Sequence, residues 1–181
     1  MQSRLGGLRA ATVVGMFAAT GLLTLAISGC GESVSPEILA LRTAHLLVEV
    51  PAGEQTIAKV REQLKSGEAT AESEFVIKGR INAGDMPPWG TGTASFVVTE
   101  AIGHDGDEEH DPHKCPFCSR DIQNNIAQVH FQDGDGKLIQ IDSRELFDLK
   151  QFQLVVVRGT AEIDDSDTLV IHARQMHVTR K

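Results

Sequence analysis

The sequence predicts a mainly β domain, a small five-stranded barrel with a short helix between its third and fourth strands and a helical segment before it. Hydrophobic residues recur at helical spacing up to residue 66 and at alternate positions from Glu74 onward. The alternating segments are short and are separated by turns rich in Gly, Pro and Asp. Gly79 and Gly159 lie inside two of them, where a small barrel needs bent strands. A two-sheet sandwich is the alternative architecture.

The first 29 residues have the composition of an export signal. Arg4 and Arg9 precede an uncharged, largely apolar run at 10–27, and small residues lead to Cys30. An uncleaved membrane helix is the alternative, since the run is long enough to span a bilayer. The tetrapeptide Ile-Ser-Gly-Cys at 27–30 resembles the bacterial lipobox, which implies cleavage before Cys30 and acylation of its thiol. In Gram-negative lipoproteins a residue other than Asp at the next position, here Gly31, favours the outer over the inner membrane. We therefore expect an extracytoplasmic protein attached to a membrane through lipid.

The chain is acidic. Its 181 residues include 17 basic and 25 acidic side chains, a net charge of −8, and loss of the leader removes two arginines and no acid. An acidic surface repels phosphate backbones, so we expect no nucleic-acid partner. The 152 residues after the leader are enough for one domain with an appendage.

A lipidated tether and helical lead-in are predicted for residues 30–71. Ser35 supplies a capping hydroxyl before a proline in the first turn, and Pro51 ends this first helical pattern. Thr56 caps a second helix over Ile57–Lys65, which the following glycine terminates.

The barrel is predicted for residues 72–181. Its expected strands are Glu74–Ile81, Ala94–Thr99, Ala127–Phe131 with a hairpin turn into 138–141, Gln153–Ile163 and Thr168–Val178. Asp142 and Ser143 cap a short helix, Arg144–Leu149, between the third and fourth strands. This order of elements is that of the OB-fold, a small Greek-key barrel.

Three segments carry a family resemblance, Val76–Ile81, Asp142–Leu146 and Val155–Ala161. They resemble OB-fold-type domains of exported bacterial proteins and, more narrowly, planctomycete lipoproteins with a helical lead-in and a Cys-containing insertion between strands two and three. The resemblance covers most of residues 50–181. It implies a fold and a location, and the family has no assigned activity to transfer.

The loop at 104–118 concentrates the reactive side chains. It holds three of the seven histidines, five acids and both cysteines outside the lipobox, and loops of this length are usually functional or disordered. Two imidazoles and two thiolates form a donor set that suits Zn²⁺ or Cu. The candidate ligands are His110, His113, Cys115 and Cys118, with His104 as an alternative.

The same cysteines support other interpretations. In an oxidising compartment Cys115 and Cys118 would close a disulfide, either inert or active in thiol exchange, although no βαβ pattern surrounds them as in thioredoxin-like proteins. A solvated acidic loop is the remaining alternative. No nucleophile–base–acid set, phosphate loop or catalytic carboxylate pair stands out, so the sequence does not indicate an enzyme.

Polar residues on the barrel are a further candidate. His130, His172, Arg174 and Lys78 fall on the polar face of their strands, which is either a solvated surface or a ligand-binding face. Trp89 is expected to plug a barrel end or to form a contact surface. The sequence thus predicts a membrane-anchored binding module, for a protein or small-ligand partner, with a transition-metal site in the loop. A thiol–disulfide redox protein and a non-catalytic structural envelope module are the alternatives.

Overall fold

The computed structural model describes residues 34–100, 112–116 and 118–179, which all belong to one unit, Val34–Lys181. The predicted leader, Cys30 and two of the predicted metal ligands, His104 and His110, lie outside the described residues. Of the helices in the described part, none is both long and apolar enough to cross a membrane.

Local capping chemistry sets the helix boundaries. Helix α1 spans Pro36–His45, and the Ser35 hydroxyl accepts a hydrogen bond from the backbone N–H of Ile38 at 3.2 Å. Helix α2 spans Ile57–Ser66, begins at the Thr56 cap and ends at Gly67, whose φ is 78°. The predicted starts of both helices are confirmed, whereas α1 ends six residues before the predicted stop at Pro51, because the chain pairs with the barrel immediately after His45.

The described residues contain seven strands and two further helical elements, and the five longer strands follow the order of the predicted barrel. The strands are β1 Leu46–Leu47, β2 Glu54–Gln55, β3 Glu74–Ile81, β4 Ser95–Glu100, β5 Ile126–Phe131, β6 Leu154–Ile163 and β7 Leu169–Val178. Helix α3 spans Ser143–Phe147, and a 3₁₀ helix spans Cys118–Asn125.

Five of the strands close into a barrel. Strand β3 pairs antiparallel with β4, β4 pairs antiparallel with β5, and β5 runs parallel to β7. Strand β7 pairs with β6, which returns to β3 and completes the ring. With α3 between β5 and β6, this is the strand order of an OB-fold-like barrel, so the predicted fold class is confirmed and the sandwich alternative is wrong.

The predicted hairpin after β5 does not form a second strand. Residues 138–141 make a single bridge, between Gln132 and Leu138. The reason is that Ile139 donates to the Phe131 carbonyl and accepts from the Ala94 backbone N–H, each at 2.9–3.0 Å. These bonds tie the segment to the ends of two strands and lead the chain directly into α3.

Two short strands of the lead-in complete the barrel's hydrogen-bond ladders. Strand β1 pairs with β7 at Met176 and His177, beyond the point where β5 pairing ends, and β2 pairs with β3 at Val76 and Ile77, beyond β4. Strand β6 lies between β7 and β3, so residues 48–53, the strap, join a strand paired with β7 to a strand paired with β3. Val156 alternates with the inward Val155 and Val157 and is only 2% exposed.

The core fills the barrel with aliphatic and aromatic side chains. Phe131 and Phe147 lie with ring centroids 4.6 Å apart, and Ile57 and Val60 of α2 are fully buried against the same core. A side chain at Gly159 would collide with the His172 carbonyl at the register shift of β6 and β7. This close approach is the physical reason for a glycine at that bend.

Candidate functional site

A cleft of about 170 Å³ lies on the outer face of β4 and β5. The register of the two strands sets Ser95 beside His130 and Val97 beside Gln128. The loop between β3 and β4 forms the opposite wall. The residues that line the cleft are Pro87, Pro88, Trp89, Gly90, Ser95, Phe96, Val97, Gln128 and His130.

Backbone hydrogen bonds attach the segment at 88–90, which forms the opposite wall of the cleft, to β4. The Pro88 carbonyl accepts from the Val97 N–H at 2.7 Å, and the Gly90 N–H donates to the Ser95 carbonyl at 2.9 Å. A Cβ at Gly90 would overlap the Ser95 and Thr93 hydroxyls, so any other residue there would make these two side chains rotate. The wall is therefore held as an extension of the sheet.

The Trp89 ring packs against the core, because Trp89 is bridged to the inward-facing Phe96. Its centroid lies 6.4 Å from that of Phe96 in an edge-to-face arrangement, and the Arg144 guanidinium carbon lies 5.7 Å from its centroid. Arg144 forms a two-pronged ion pair with Asp142, with N–O distances of 2.9 and 2.6 Å. This packing supports the first of the two alternatives for Trp89, a plug at a barrel end.

The floor of the cleft is polar. His130 Nε2 lies 3.2 Å from Gln128 Oε1, and since an amide oxygen only accepts, Nε2 donates. Burial, and then the neighbouring His172, lower the pKa of His130 below its ordinary value. His130 is therefore neutral near pH 7.

Hydrogen bonds extend this polar row onto β6 and β7. Gln132 Nε2 lies 2.9 Å from His172 Nδ1, and His172 Nε2 lies 3.0 Å from a Glu162 carboxylate oxygen. The structure thus brings two residues of the predicted polar face, His130 and His172, to a ring distance of 6.3 Å.

The other two residues of the predicted polar face are occupied by ion pairs. Arg174 is 3.8 Å from Glu74, and Lys78 is 4.0 Å from Glu54. Neither lines the cleft.

The described end of the His/Cys-rich loop is attached to β4 through His113. Its Nε2 lies 2.9 Å from the Thr99 hydroxyl, and that hydroxyl donates its hydrogen to the Asn82 carbonyl at 2.9 Å. Thr99 can therefore only accept from His113, so Nε2 carries the proton and Nδ1 carries the lone pair. Nδ1 faces Gly84, where a Cβ would lie at 2.8 Å from it and where φ is +67°.

The two cysteines adjoin each other at the start of the 3₁₀ helix. The Ser119 N–H donates to the Cys115 carbonyl at 2.9 Å, which closes the turn between them, and both side chains are half-buried. A hydrogen bond with Cys115, followed by burial and the charge of Cys115, raises the pKa of the Cys118 thiol. The thiols thus lie close enough to share a proton.

The predicted metal set is only partly visible. Among residues 34–100, 112–116 and 118–179, no three His, Cys, Asp or Glu side chains are grouped so that they would hold a metal ion. His113, Cys115 and Cys118 lie in the described part, whereas His110 and His104 lie outside it. The metal site therefore remains a prediction.

Sequence reasoning did not find most of the cleft. Ser95, Gln128 and Gly90 carry no motif, and their grouping depends on strand register. The available signal was the Pro-Pro-Trp-Gly run at 87–90, which places a large ring on a stiff backbone.

Strand order and the position of α3 define the class of the protein, an OB-fold-like barrel with additional strands. No protein-family model matches the chain, and no curated protein matches it. Among solved structures, the chain is similar to an OBody bound to hen egg-white lysozyme, with a TM-score of 0.42 and 14% identity over 75% of this chain and 99% of that chain. It is also similar to the Stn1–Ten1 complex of S. pombe, with a TM-score of 0.33 and 16% identity over 60% of this chain. The match spans 59% of the second structure's chain.

Proposed function

We propose that this protein is a membrane-anchored extracytoplasmic binding module that holds its ligand in the cleft on β4 and β5. The observation that carries the proposal is a cleft on this face that combines the segment at 87–90, bonded to β4, with the hydrogen-bonding side chains of Gln128 and His130. This face of an OB-fold barrel is the one that commonly binds ligands. Sites of this kind combine apolar walls with a few convergent polar groups.

The proposed anchor is the acylated thiol of Cys30, supported by the order of basic residues, apolar run and small residues before it. Cys30→Ser should abolish incorporation of labelled fatty acid in a bacterial host and release the protein from the membrane fraction. Cys115→Ser is the matched control and should remain labelled. Labelling of the Cys30→Ser variant would contradict this anchor.

Ligand binding in the cleft can be followed through Trp89, which is the single tryptophan of the chain. The full chain, in a polyoxyethylene detergent, is titrated with low-mass glycan, peptide and nucleotide fractions of a bacterial envelope extract. We expect at least one fraction to shift the emission of Trp89. Gly90→Ala, whose Cβ would overlap the Ser95 and Thr93 hydroxyls beside the cleft, should weaken the shift.

Gly134→Ala serves as the control, because a Cβ there meets no atom within 4 Å. It should respond as the unmodified chain does. No emission change with any fraction, or an unchanged response in Gly90→Ala, would contradict binding in the cleft.

A second proposed function is transition-metal binding by Cys115, Cys118 and His113, with His110 or His104 as the fourth ligand. One observation favours it: the two thiols adjoin each other, within a few residues of His113. The full chain, reduced and anaerobic, should retain one equivalent of Zn²⁺ or Cu⁺ by elemental analysis. Cys115→Ser and His113→Ala should lose it, and retention of metal in both variants would contradict the site.

The same preparation tests the thiol–disulfide alternative. A dithiol exchange protein would show turnover with small disulfides and a reduction potential in the range of exchange catalysts. Turnover without metal binding would replace the metal proposal. A structural envelope module would show neither property and no response of Trp89.

A further inference from the structure

We propose that the outward side of helix α1 lies on the surface of the lipid bilayer, so that this helix holds the protein to the membrane together with the lipid anchor. The inference rests on the anchor at Cys30 proposed above. It depends on the side chains that α1 exposes, on the contrast with α2 and on the length of chain between Cys30 and the helix.

Contacts with the barrel fix which side of α1 faces outward. Ile38 is buried, Arg42 donates to two carbonyls at the end of α3 at 2.6 and 3.0 Å, and the His45 ring lies edge-on to a phenylalanine of the core. These three side chains follow one another at spacings of four and three residues, so they share one side of the helix. The exposed residues of the opposite side, the outer face, are Pro36, Leu39, Ala40, Thr43 and Ala44.

The outer face carries no charge and one polar side chain. That side chain is Thr43, whose hydroxyl donates to the Leu39 carbonyl within the helix at 2.9 Å. Glu37 is the one exposed acid of α1, and it borders a separate groove together with Leu41 and Lys137. It lies two residues before Leu39 and therefore points to a different side of the helix. A face of this composition suits an apolar neighbour better than water.

Helix α2 has the same length and also packs on the barrel, but its exposed side is charged. Both helices have ten residues, and α2 buries Ile57 and Val60. Its exposed side carries Lys59, Glu62 and Lys65, as is typical of a helix that faces water opposite a buried stripe. The outer sides of the two helices therefore suit different surroundings, and that of α1 suits an apolar surface.

Exposed apolar side chains are concentrated around α1. The described residues expose six large hydrophobic side chains, and four of them fall within residues 34–50. These are Val34, Leu39, Val48 and Val50, which are 40, 51, 94 and 53% exposed. Single exposed apolar side chains need no explanation, whereas such a concentration is typical of a contact surface.

The proposed anchor brings α1 close to the membrane. Four peptide links join Cys30 to Val34, and four fully extended links span at most ~14 Å. The ten residues of α1 form a helix about 15 Å long. An acylated Cys30 therefore keeps the start of α1 within about one helix length of the bilayer, where helices with an apolar face lie at the boundary of headgroups and acyl chains.

A second copy of the chain and a patch of anionic lipid suit the same surface less well. A stable interface between proteins takes roughly 20–30 residues from each partner, several times the five of the outer face. Anionic lipids are recognised by clusters of Lys and Arg, which the outer face lacks, and the chain has a net charge of −8. The contact should therefore depend on burial of apolar side chains and not on headgroup charge.

The experiment compares indoles added at two exposed helix positions of the full lipidated chain, reconstituted in phosphatidylcholine vesicles. Leu39→Trp adds one on the outer face of α1, Glu62→Trp adds one on the exposed side of α2 as the control, and the unmodified chain supplies the emission of Trp89 alone. Bromine atoms on the lipid acyl chains quench indoles that contact them. We expect the emission added by Leu39→Trp to shift to shorter wavelength and to be mostly lost in brominated vesicles, whereas that added by Glu62→Trp should change in neither respect. Phosphatidylglycerol in the vesicles should not increase the quenching.

Flotation of the vesicles separates failure of this inference from failure of the anchor. A chain that does not float with the vesicles overturns the anchor and this inference with it. A chain that floats, but in which bromine quenches Leu39→Trp no more than Glu62→Trp, overturns the inference and leaves the anchor. Quenching that requires phosphatidylglycerol replaces apolar burial with recognition of charge. A shift to shorter wavelength without quenching, growing with the ratio of protein to lipid, assigns the outer face to a second copy.

Discussion

The described lead-in, residues 34–71, and the described connection from β4 to β5, residues 112–125, attach to the same barrel in opposite ways. The lead-in contributes the buried side chains Ile38, Ile57 and Val60 and two strands that extend the barrel's ladders. The 3₁₀ helix of the connection contributes no buried residue to the core. The described part of the connection has one buried residue, Pro112, and is otherwise attached by polar bonds such as that from His113 to Thr99.

Hydrogen bonds also integrate the lead-in. Arg42 of α1 donates to the carbonyls of Leu146 and Glu145 at 2.6 and 3.0 Å, which satisfies the C-terminal end of α3. His45 Nδ1 lies 2.8 Å from the Arg174 carbonyl. Apolar burial gives large, non-directional stabilisation, whereas a few polar bonds give position with little stabilisation. The lead-in is thus part of the folding unit, whereas the described connection contributes little to its core.

The largest expected effect is in the lead-in. Ile57→Ala removes a fully buried side chain and should lower the free energy of unfolding by about 3 kcal/mol. Urea denaturation followed by Trp89 emission measures it. Leu39→Ala, at a side chain that is 51% exposed on α1, is the control and should change stability by less than about 0.5 kcal/mol. Equal effects of the two substitutions would contradict the integration of α2.

Arg61 joins the two regions. It is 4% exposed and donates to the carbonyls of Asp167 and Gln123 at 2.8 and 3.0 Å. Arg61→Met keeps much of the packing but leaves both carbonyls without this donor, so unfolding should become easier by about 2 kcal/mol. Lys65→Met removes an exposed ion pair with Asp167 and should cost about 0.5 kcal/mol or less. A larger loss of stability with Lys65→Met than with Arg61→Met would contradict the role of Arg61 as the residue that joins the two regions.

The connection should respond locally rather than globally. Thr99→Val removes the acceptor of His113 and the donor of the Asn82 carbonyl, at a global cost of about 1 kcal/mol. Hydrogen exchange of the amides at 112–116 and 118–125 should speed up more than that of β3 and β6. Uniform acceleration across the barrel would show that the connection is as integrated as the lead-in.

The smallest effect is a pH dependence that belongs to neither region. Because the folded barrel lowers the pKa of His130, the unfolded chain binds more protons between the folded pKa and the ordinary value near 6.5. The stabilisation that comes from keeping His130 neutral is therefore fully present above the ordinary pKa of histidine. It is lost as the pH falls from that value toward the lower pKa of the folded protein. Denaturation series from pH 7.5 to 5 should show a shallower decline for His130→Gln than for the unmodified chain, and identical slopes would contradict the assignment.

Features set by neighbouring residues were predictable. The caps at Ser35, Thr56 and Asp142 and the left-handed stop at Gly67 appear where the sequence predicts them, because each needs only groups within a few residues. The alternation of β3, β5, β6 and β7 was predictable for the same reason. The two-residue strands β1 and β2 were missed, because their pairing depends on positions more than a hundred and about twenty residues away.

The candidate sites divide in the same way. The cysteine pair and its proximity follow from a two-residue spacing, and the turn at Cys115 confirms only that the thiols adjoin. The cleft needed the strand register, since Trp89 and Gln128 come together only when β4 and β5 pair. No local pattern in the sequence indicates which polar face of a closed barrel the loop at 87–90 will border.

By itself the sequence determined the fold class, the element order and the positions of the reactive side chains, because hydrophobic periodicity and capping are local properties of a chain. Only the tertiary structure decided where the barrel closes, that His113 is oriented by Thr99 and that Gln128 and His130 share a cleft with the segment at 87–90. Those features depend on contacts between distant segments, and burial together with a neighbour from another strand sets the environment of a group, as the lowered pKa of His130 shows.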